Sequence, residues 1–181
     1  NGEGMKACVL HKVHDLRYED YPAPVISSPR EVIVKVLRGG VCGSDIHYYE
    51  EGGIGEFIKV TEPFVIGHEG IGVVEEIGSG VASVKPGDTV VIRPARPCCE
   101  RVYCRKGMFT YCENLRHLGS ASLTPHVQGL FAEKVLLHEV HVRRVSSAMN
   151  PLVGAFAEPL GVALHTVRQL GDLYGKDILV M

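Results

Sequence analysis

Three separated segments of the chain hold side chains that can bind a metal ion: GVCGSDIHYY with Cys42, IGHEGIG with His68 and Glu69, and FAEPLG with Glu158. One thiol, one imidazole and one or two carboxylates leave a coordination position free, which distinguishes catalytic zinc from a closed structural site. Glycines around Cys42 and around His68-Glu69 let the backbone turn tightly and approach a ligand closely. Asp45 is available to hold the second ring nitrogen of His68, and Ser44 with His47 supplies a hydroxyl and a base for moving a proton. Adjacent residues of an extended chain point to opposite faces, so His68 and Glu69 share one ion only if the backbone turns there. In a straight strand Glu69 withdraws and Glu158 becomes the better ligand. Each group also has a plainer use, as a buried thiol or a helix cap, and spacing alone does not choose between these readings.

A second concentration of thiols is PCCERVYCRKGMFTYC, with four of the six cysteines: Cys98, Cys99, Cys104 and Cys112. It reads as a metal lobe, a disulfide knot or the remains of either. The first ten residues lack the basic-then-apolar build of a signal peptide, so the thiols point to a reducing compartment, the cytoplasm, where clustered cysteines bind metal or do chemistry. The formal net charge of -2 gives no electrostatic reason to expect nucleic acid or an anionic membrane surface as partner. No apolar run approaches the roughly 20 residues needed to cross a bilayer.

The elements that must position these groups are mostly strands. Met5 to Leu16 reads as an opening strand or hairpin, and EVIVKVL at 31–37 as a β-branched strand between SSPR and GG. GIGVVEEI at 70–77 is another, closed by GSG. After the VKPG turn, 88–92 continues as a short strand, and 129–145 holds one or two more. Asn150-Pro151 caps and starts an apolar helical region up to Gly171, which Pro159 must break or kink. ILVM at 178–181 has the composition of a buried strand. A chain of 181 residues accommodates one domain and part of a second, and a β body followed by a helix and one strand reads as a fragment. Asn1 to Gly4 ahead of Met5 reads as an appended tail.

GGVCGSDIHYYEEGGIGEF, PFVIGHEGIGVVEEIGSGV, VKPGDTVVIRP and FAEPLGVALHTV together resemble the zinc-dependent medium-chain alcohol and polyol dehydrogenases, in that family's order and near its spacing. CGSDIHYY and LGSASLTPHVQGLFAEK are similar to its sorbitol dehydrogenase and L-idonate 5-dehydrogenase branch. The resemblance runs from about Met5 to Met181. It implies a mainly β fold with some helix: a GroES-like β-barrel zinc-binding catalytic domain over 5–150, then over 151–181 a connecting helix and the first strand of a Rossmann nucleotide-binding domain. The glycine-rich phosphate loop of such a domain is not in this sequence, so NAD(P) binding rests on the resemblance alone.

Carried onto matching positions, the family pattern implies that Cys42, His68 and Glu69 hold zinc, with Glu158 against the bound water or coordinating directly. Ser44 and His47 would relay the proton. The implied reaction oxidises a secondary alcohol of a sugar acid or polyol, such as L-idonate to 5-ketogluconate, in a homo-oligomer; sorbitol, xylitol or threonine dehydrogenation and a non-catalytic zinc module are the alternatives. Tyr48 and Phe57 fall where family substrates pass, and His126 or Arg96 would meet a substrate carboxylate. The family's structural zinc lobe has the spacing C-x2-C-x2-C-x7-C, which places Cys98, Cys104 and Cys112 but puts Arg101 where the second thiol belongs. A site completed by Cys99 or Glu100, free thiols, or an oxidised pair all remain open on sequence.

Overall fold

The computed structural model describes residues 4–180, and the reading of Asn1–Glu3 as a tail lies outside them. In chain order the strands begin with β1 (Gly4–Lys12), β2 (Asp15–Pro22) and β3 (Glu31–Gly40), followed by helix α1 (Gly43–Glu51). Next come β4 (Gly53–Ile54), β5 (Ile58–Lys59), β6 (Phe64–Val65), β7 (Glu69–Ile77), β8 (Thr89–Ile92) and β9 (Ala95–Arg96). The short helix α2 (Val102–Arg105) precedes β10 (Arg116–His117), β11 (Lys134–His138) and β12 (Val142–Arg144), and α3 (Pro151–Ala155) and α4 (Ala157–Gln169) close the order. The strands form an antiparallel five-stranded sheet in the order β11-β3-β7-β8-β12 and a three-stranded sheet β2-β1-β6, with ribbons β9-β10 and β4-β5 at the side.

The β-branched runs explain the sheet. Val32, Val34, Val74, Val90, Ile92, Leu137 and Val142 are buried together as its main core. Val32, Ile33 and Val34 are buried in succession, so this part of β3 is covered on both faces. The β3–β7 pairing slips twice, between Ile33 and Val34 and between Val36 and Arg38; such bulges bend and twist a strand, and the second lies close to the metal-competent residues. Leu10, Tyr48, Phe64, Ile66 and Ala121 form a second cluster, into which α1 sends Tyr48.

The helical region breaks at Phe156, three residues before the proline that was expected to interrupt it. Pro159 lies in the first turn of α4, where an absent N–H costs no intrahelical bond. Asn150 caps α3 by accepting from the Leu152 amide at 2.9 Å. The expected strand at 178–181 is unpaired: Leu179 and Val180 are exposed, no described strand lies beside them, and Met181 lies outside the described residues. A strand needs a neighbour for its N–H and C=O groups. Among the described residues, no helix is long and apolar enough to cross a membrane.

His141 is buried at the turn leading into β12, with Nδ1 donating to the Arg93 carbonyl at 2.8 Å. Burial pushes its pKa down to about 4, the Arg93 carbonyl opposes this, and the Arg96 and His138 charges add to it. Burial also lowers His138, with Arg96 the next cause. A depressed histidine pKa means that the unfolded chain takes up the proton first. Stability is therefore complete above the unfolded value near 6.5 and falls as pH drops toward the folded value. The unfolding free energy from urea titration should fall from pH 6.5 to 4.5, with His141 contributing a slope approaching about 1.4 kcal/mol per pH unit. His141→Asn should flatten that slope, and an unchanged slope would contradict the assignment.

Candidate metal centre

Strand pairing assembles the group. Gly40 at the end of β3 stands opposite Glu69 at the start of β7, and Cys42 follows two residues after Gly40. A Cβ built on Gly40 would sit 2.1 Å from Glu69 Oε2, so the Glu69 side chain lies over that glycine and reaches toward Cys42. His68 and Glu69 point to one place because Gly67 turns the chain at φ +94°, a conformation glycine adopts without steric cost. Any Cβ on Gly67 would meet the Phe131 ring at 2.4 Å. The backbone therefore turns as the flanking glycines suggest, and Glu69 does not withdraw. The ligand atoms of Cys42, His68 and Glu69 all lie within 4.8 Å of one another, and His68 and Glu69 are buried.

Helix α1 locks this arrangement. Cys42 is its N-cap and Asp45 its third residue, an acidic position that favours the helix N-terminus. The buried Asp45 accepts from the Cys42 amide at 3.0 Å through Oδ2 and from the Gly67 amide at 3.1 Å through Oδ1. The same Oδ1 lies 3.7 Å from His68 Nδ1, close enough to orient the ring by charge. That nitrogen has no hydrogen-bond partner although it is buried.

The residues present fit a zinc ion. Thiol, imidazole and carboxylate donors converge to within 4.8 Å of one another, and two of the three residues are buried. The chemistry of the three donors is that of an open catalytic site, with a fourth position available.

The remaining candidates take several places. Glu158 is outside the close group, on the first turn of α4, where it lines a cavity of about 510 Å³ together with Ile92, Pro94, His117, Gly161 and His165. Burial raises its pKa; His68 pulls it down and Glu69 pushes it up, which places its carboxyl in electrostatic reach of both ligands. Ser44 is half-buried and His47 exposed on α1, with His47 Nδ1 donating to Glu51 Oε1 at 3.0 Å. His117 was not singled out in the sequence. Its ring meets that of His68 edge-on, with centroids 5.2 Å apart. RHLGS has no local pattern to announce it; the β9–β10 ribbon alone brings it there.

Tyr48, Phe57, His126 and Arg96, expected near a substrate, are outside the close group of ligands. Tyr48 is buried against Phe64, and its hydroxyl meets Ser120 Oγ and accepts from the Ala121 amide, so it is a core residue. Phe57 is 96% exposed. His126 is buried, accepting from the Thr61 amide at 2.9 Å and donating to the Leu123 carbonyl at 2.7 Å, so both ring nitrogens hold backbone. Arg96 pairs across its ribbon with Arg116, while the neighbouring Ala95 lines the Glu158 cavity.

In the cysteine lobe, Cys98, Cys104 and Cys112 converge, with sulfur atoms within 4.8 Å of one another. Cys99 does not join them. It is exposed, its backbone is left-handed at φ +61°, and its sulfur lies 3.7 Å from the Pro97 carbonyl. Glu100 is not in the group either. The Glu100 and Arg101 amides facing Cys98 lower its thiol to about 7, and burial raises Cys104 to about 11. Cys98 therefore ionises before Cys104.

The Gly40–Glu69 contact gives a test that removes no ligand. Gly40→Ala should push the Glu69 carboxylate aside and lower zinc affinity about tenfold or more, equal to a loss of 1.4 kcal/mol, with little change in the unfolding midpoint. Unchanged affinity would mean that Glu69 takes no part in holding the ion.

Comparison with known proteins agrees with this arrangement. The family model for the alcohol dehydrogenase GroES-like domain matches residues 28–147. A probable D-xylulose reductase A of Emericella nidulans is 40% identical over 172 residues, covering 95% of this chain and 46% of that protein. L-idonate 5-dehydrogenase of Escherichia coli superposes with a TM-score of 0.88 at 34% identity, covering 96% of this chain and 49% of that one. A zinc-binding dehydrogenase of Sinorhizobium meliloti, solved bound to NADP, gives 0.80 at 32% identity over 92% of this chain and 46% of its own. The chain thus spans about half the length of the curated relatives it matches. With its glycine-framed thiol, imidazole and carboxylate on a mainly β scaffold, the chain belongs to the alcohol dehydrogenase GroES-like domain family of the zinc-dependent medium-chain dehydrogenases.

Proposed function

We propose that this chain is the metal-binding part of an NAD(P)-dependent zinc dehydrogenase that oxidises a secondary alcohol of a sugar acid or polyol to a ketone. The observation that carries this reading is the convergence of the ligand atoms of Cys42, His68 and Glu69 within 4.8 Å of one another. Zinc held by these residues would supply Lewis acidity toward the alcohol oxygen, and the nicotinamide would supply the hydride acceptor.

The chain's own groups account for orientation and for the proton. Asp45 fixes the α1 N-terminus and the His68 turn together, so thiol and imidazole keep their separation when the fourth position changes. Glu158, with its pKa raised by burial, faces the cavity where an alcohol would sit and can hold a hydrogen bond or a proton there. Ser44 and His47, three residues apart, share a face of α1. The Glu51 carboxylate accepts a hydrogen bond from His47 Nδ1–H, so in the neutral ring Nε2 is the acceptor. A proton leaving the substrate would pass Ser44 and reach solvent through His47.

For the substrate, the likeness to L-idonate 5-dehydrogenase in structure supports L-idonate and its oxidation to 5-ketogluconate. The relatives named D-xylulose reductase favour a second reading, the xylitol–xylulose pair. Turnover of L-idonate, xylitol, sorbitol and threonine by the full-length protein with NAD and with NADP, followed at the nicotinamide absorbance, should give the highest kcat/KM with L-idonate. A maximum with xylitol would transfer the assignment to the second reading.

Cys42→Ser in the same protein should abolish zinc-dependent turnover while leaving the fold intact by circular dichroism. Undiminished activity and metal content would refute the ligand assignment. Glu158→Gln should lower kcat by about 10²-fold or more, the scale of a positioned proton-handling group, with zinc retained. An unchanged kcat would remove Glu158 from the reaction.

A further inference from the structure

The lobe of Cys98, Cys104 and Cys112 shares no ligand with the Cys42 centre. The four-thiolate structural zinc site implied by the family resemblance does not fit these residues. Its second place is Arg101, whose guanidinium stays protonated and cannot ligate. Arg101 Nη1 instead donates to Glu113 Oε2 at 3.0 Å. The spare thiol, Cys99, is turned outward toward the Pro97 carbonyl.

The three remaining sulfurs are nevertheless arranged as ligands. Cys98 Sγ and Cys104 Sγ are 3.7 Å apart, and Cys112 Sγ accepts from the Cys98 amide at 3.2 Å. Thiolates 2.3 Å from a tetrahedral ion stand about 3.8 Å from one another. A disulfide instead needs sulfurs about 2.05 Å apart. The Cys98–Cys104 separation matches a tetrahedron's edge, and the third sulfur lies within 4.8 Å of both. Cys104 and Cys112 are buried and Cys98 half-buried, and among the described residues no histidine, carboxylate or fourth thiol joins them. Charge agrees with this count. Three thiolates around a divalent ion leave one negative charge, and the Arg101 guanidinium, in electrostatic reach of Cys98 and Cys112, offsets it.

We propose that Cys98, Cys104 and Cys112 form a three-thiolate site for a divalent thiophilic cation, zinc or cadmium, whose fourth coordination position is open to an exchangeable small ligand such as water or a low-molecular-weight thiol. The replacement at position 101 thus turns a closed structural site into an accessible one. The ion there exchanges with chelators and with added thiols, which a sealed four-thiolate site resists.

Cobalt(II) in the full-length protein tests this. The difference spectrum between the native protein and Cys104→Ser should show thiolate-to-cobalt charge transfer, isolating the lobe from the Cys42 centre. Added 2-mercaptoethanol or imidazole should shift that spectrum. Arg101→Cys should make it insensitive to both and slow zinc release to a chelator about tenfold, equal to 1.4 kcal/mol of added ligation. A measurement on the native protein alone serves if a variant does not fold: zinc should protect Cys98, Cys104 and Cys112, but not Cys99, from alkylation mapped by peptide mass spectrometry. The proposal is overturned if zinc protects none of the three, if the difference spectrum ignores added thiol, or if protein prepared anaerobically contains a Cys98–Cys104 disulfide in place of metal.

Discussion

The antiparallel pairing of β3 with β7 is the constraint on which the rest of the structure depends. Its last rung sets Gly40 opposite Glu69, and the chain leaving that rung reaches Cys42 within two residues. The thiol and the carboxylate are distant in sequence, yet backbone hydrogen bonds bring them together before any side chain interacts. Register matters here because a slip of one residue would turn Glu69 to the opposite face. The bulge between Val36 and Arg38 is already such a shift, absorbed just before the glycine pair. Bulky residues at 39 or 40 would meet Phe131 or Glu69. The glycines are therefore demanded by close approach as well as by turning.

Asp45 is the second constraint, and it is electrostatic. It is buried at 2% exposure and spends its oxygens on two backbone amides from different segments, which binds the start of α1 to the turn at Gly67. Around one buried histidine the Cys42 thiol and the Glu69 carboxylate converge, a donor set that a cation at the centre would satisfy. Glu158 is affected by the same crowding at longer range: burial is the larger cause of its raised pKa, with Glu69 adding to it. The group that most needs a positive partner and the group best suited to hold a proton thus lie on different elements of one small region.

Much of this was legible in the sequence, for physical reasons that differ by element. Runs such as EVIVKVL and GIGVVEEI predict strands because β-branched side chains fit a pleated, doubly covered sheet, and the structure extends the first by three residues and the second by one at their site-facing ends. The thiol, imidazole and carboxylate stand out by type, and Gly67 hints at the turn that unites His68 with Glu69. Helix α1 was missed because GSDIHYYEE has weak apolar periodicity and is held by caps at Cys42 and Gly52. His117 was missed because its approach to His68 is wholly tertiary. Tyr48 and His126 were read toward a substrate because type alone does not reveal burial; each instead satisfies backbone or packing. Cys99 is adjacent to a converging thiol, but a left-handed backbone turns it away.

The two sulfur-containing groups show how one chain separates chemistry from substrate choice. In the Cys42 group Glu69 lies on the β3–β7 rung, His68 in the turn before it and Cys42 at the α1 N-cap two residues beyond it, so its geometry is set by that end of the sheet. The cavity beside it is different. One wall is α4, whose Leu160, Val162, Leu164 and Val167 are exposed and whose residues are nowhere buried among the described elements. A wall with so few contacts constrains the shape of a bound molecule far less than the sheet constrains the ion. Relatives and structural neighbours with names as different as D-xylulose reductase and L-idonate 5-dehydrogenase can then share this half of the fold at 40% and 34% identity. The rung between Gly40 and Glu69 fixes the metal-competent group, while the Glu158 cavity is walled in part by the loosely held α4. His126, whose ring nitrogens hold the Thr61 amide and the Leu123 carbonyl, belongs to the rigid part of the chain.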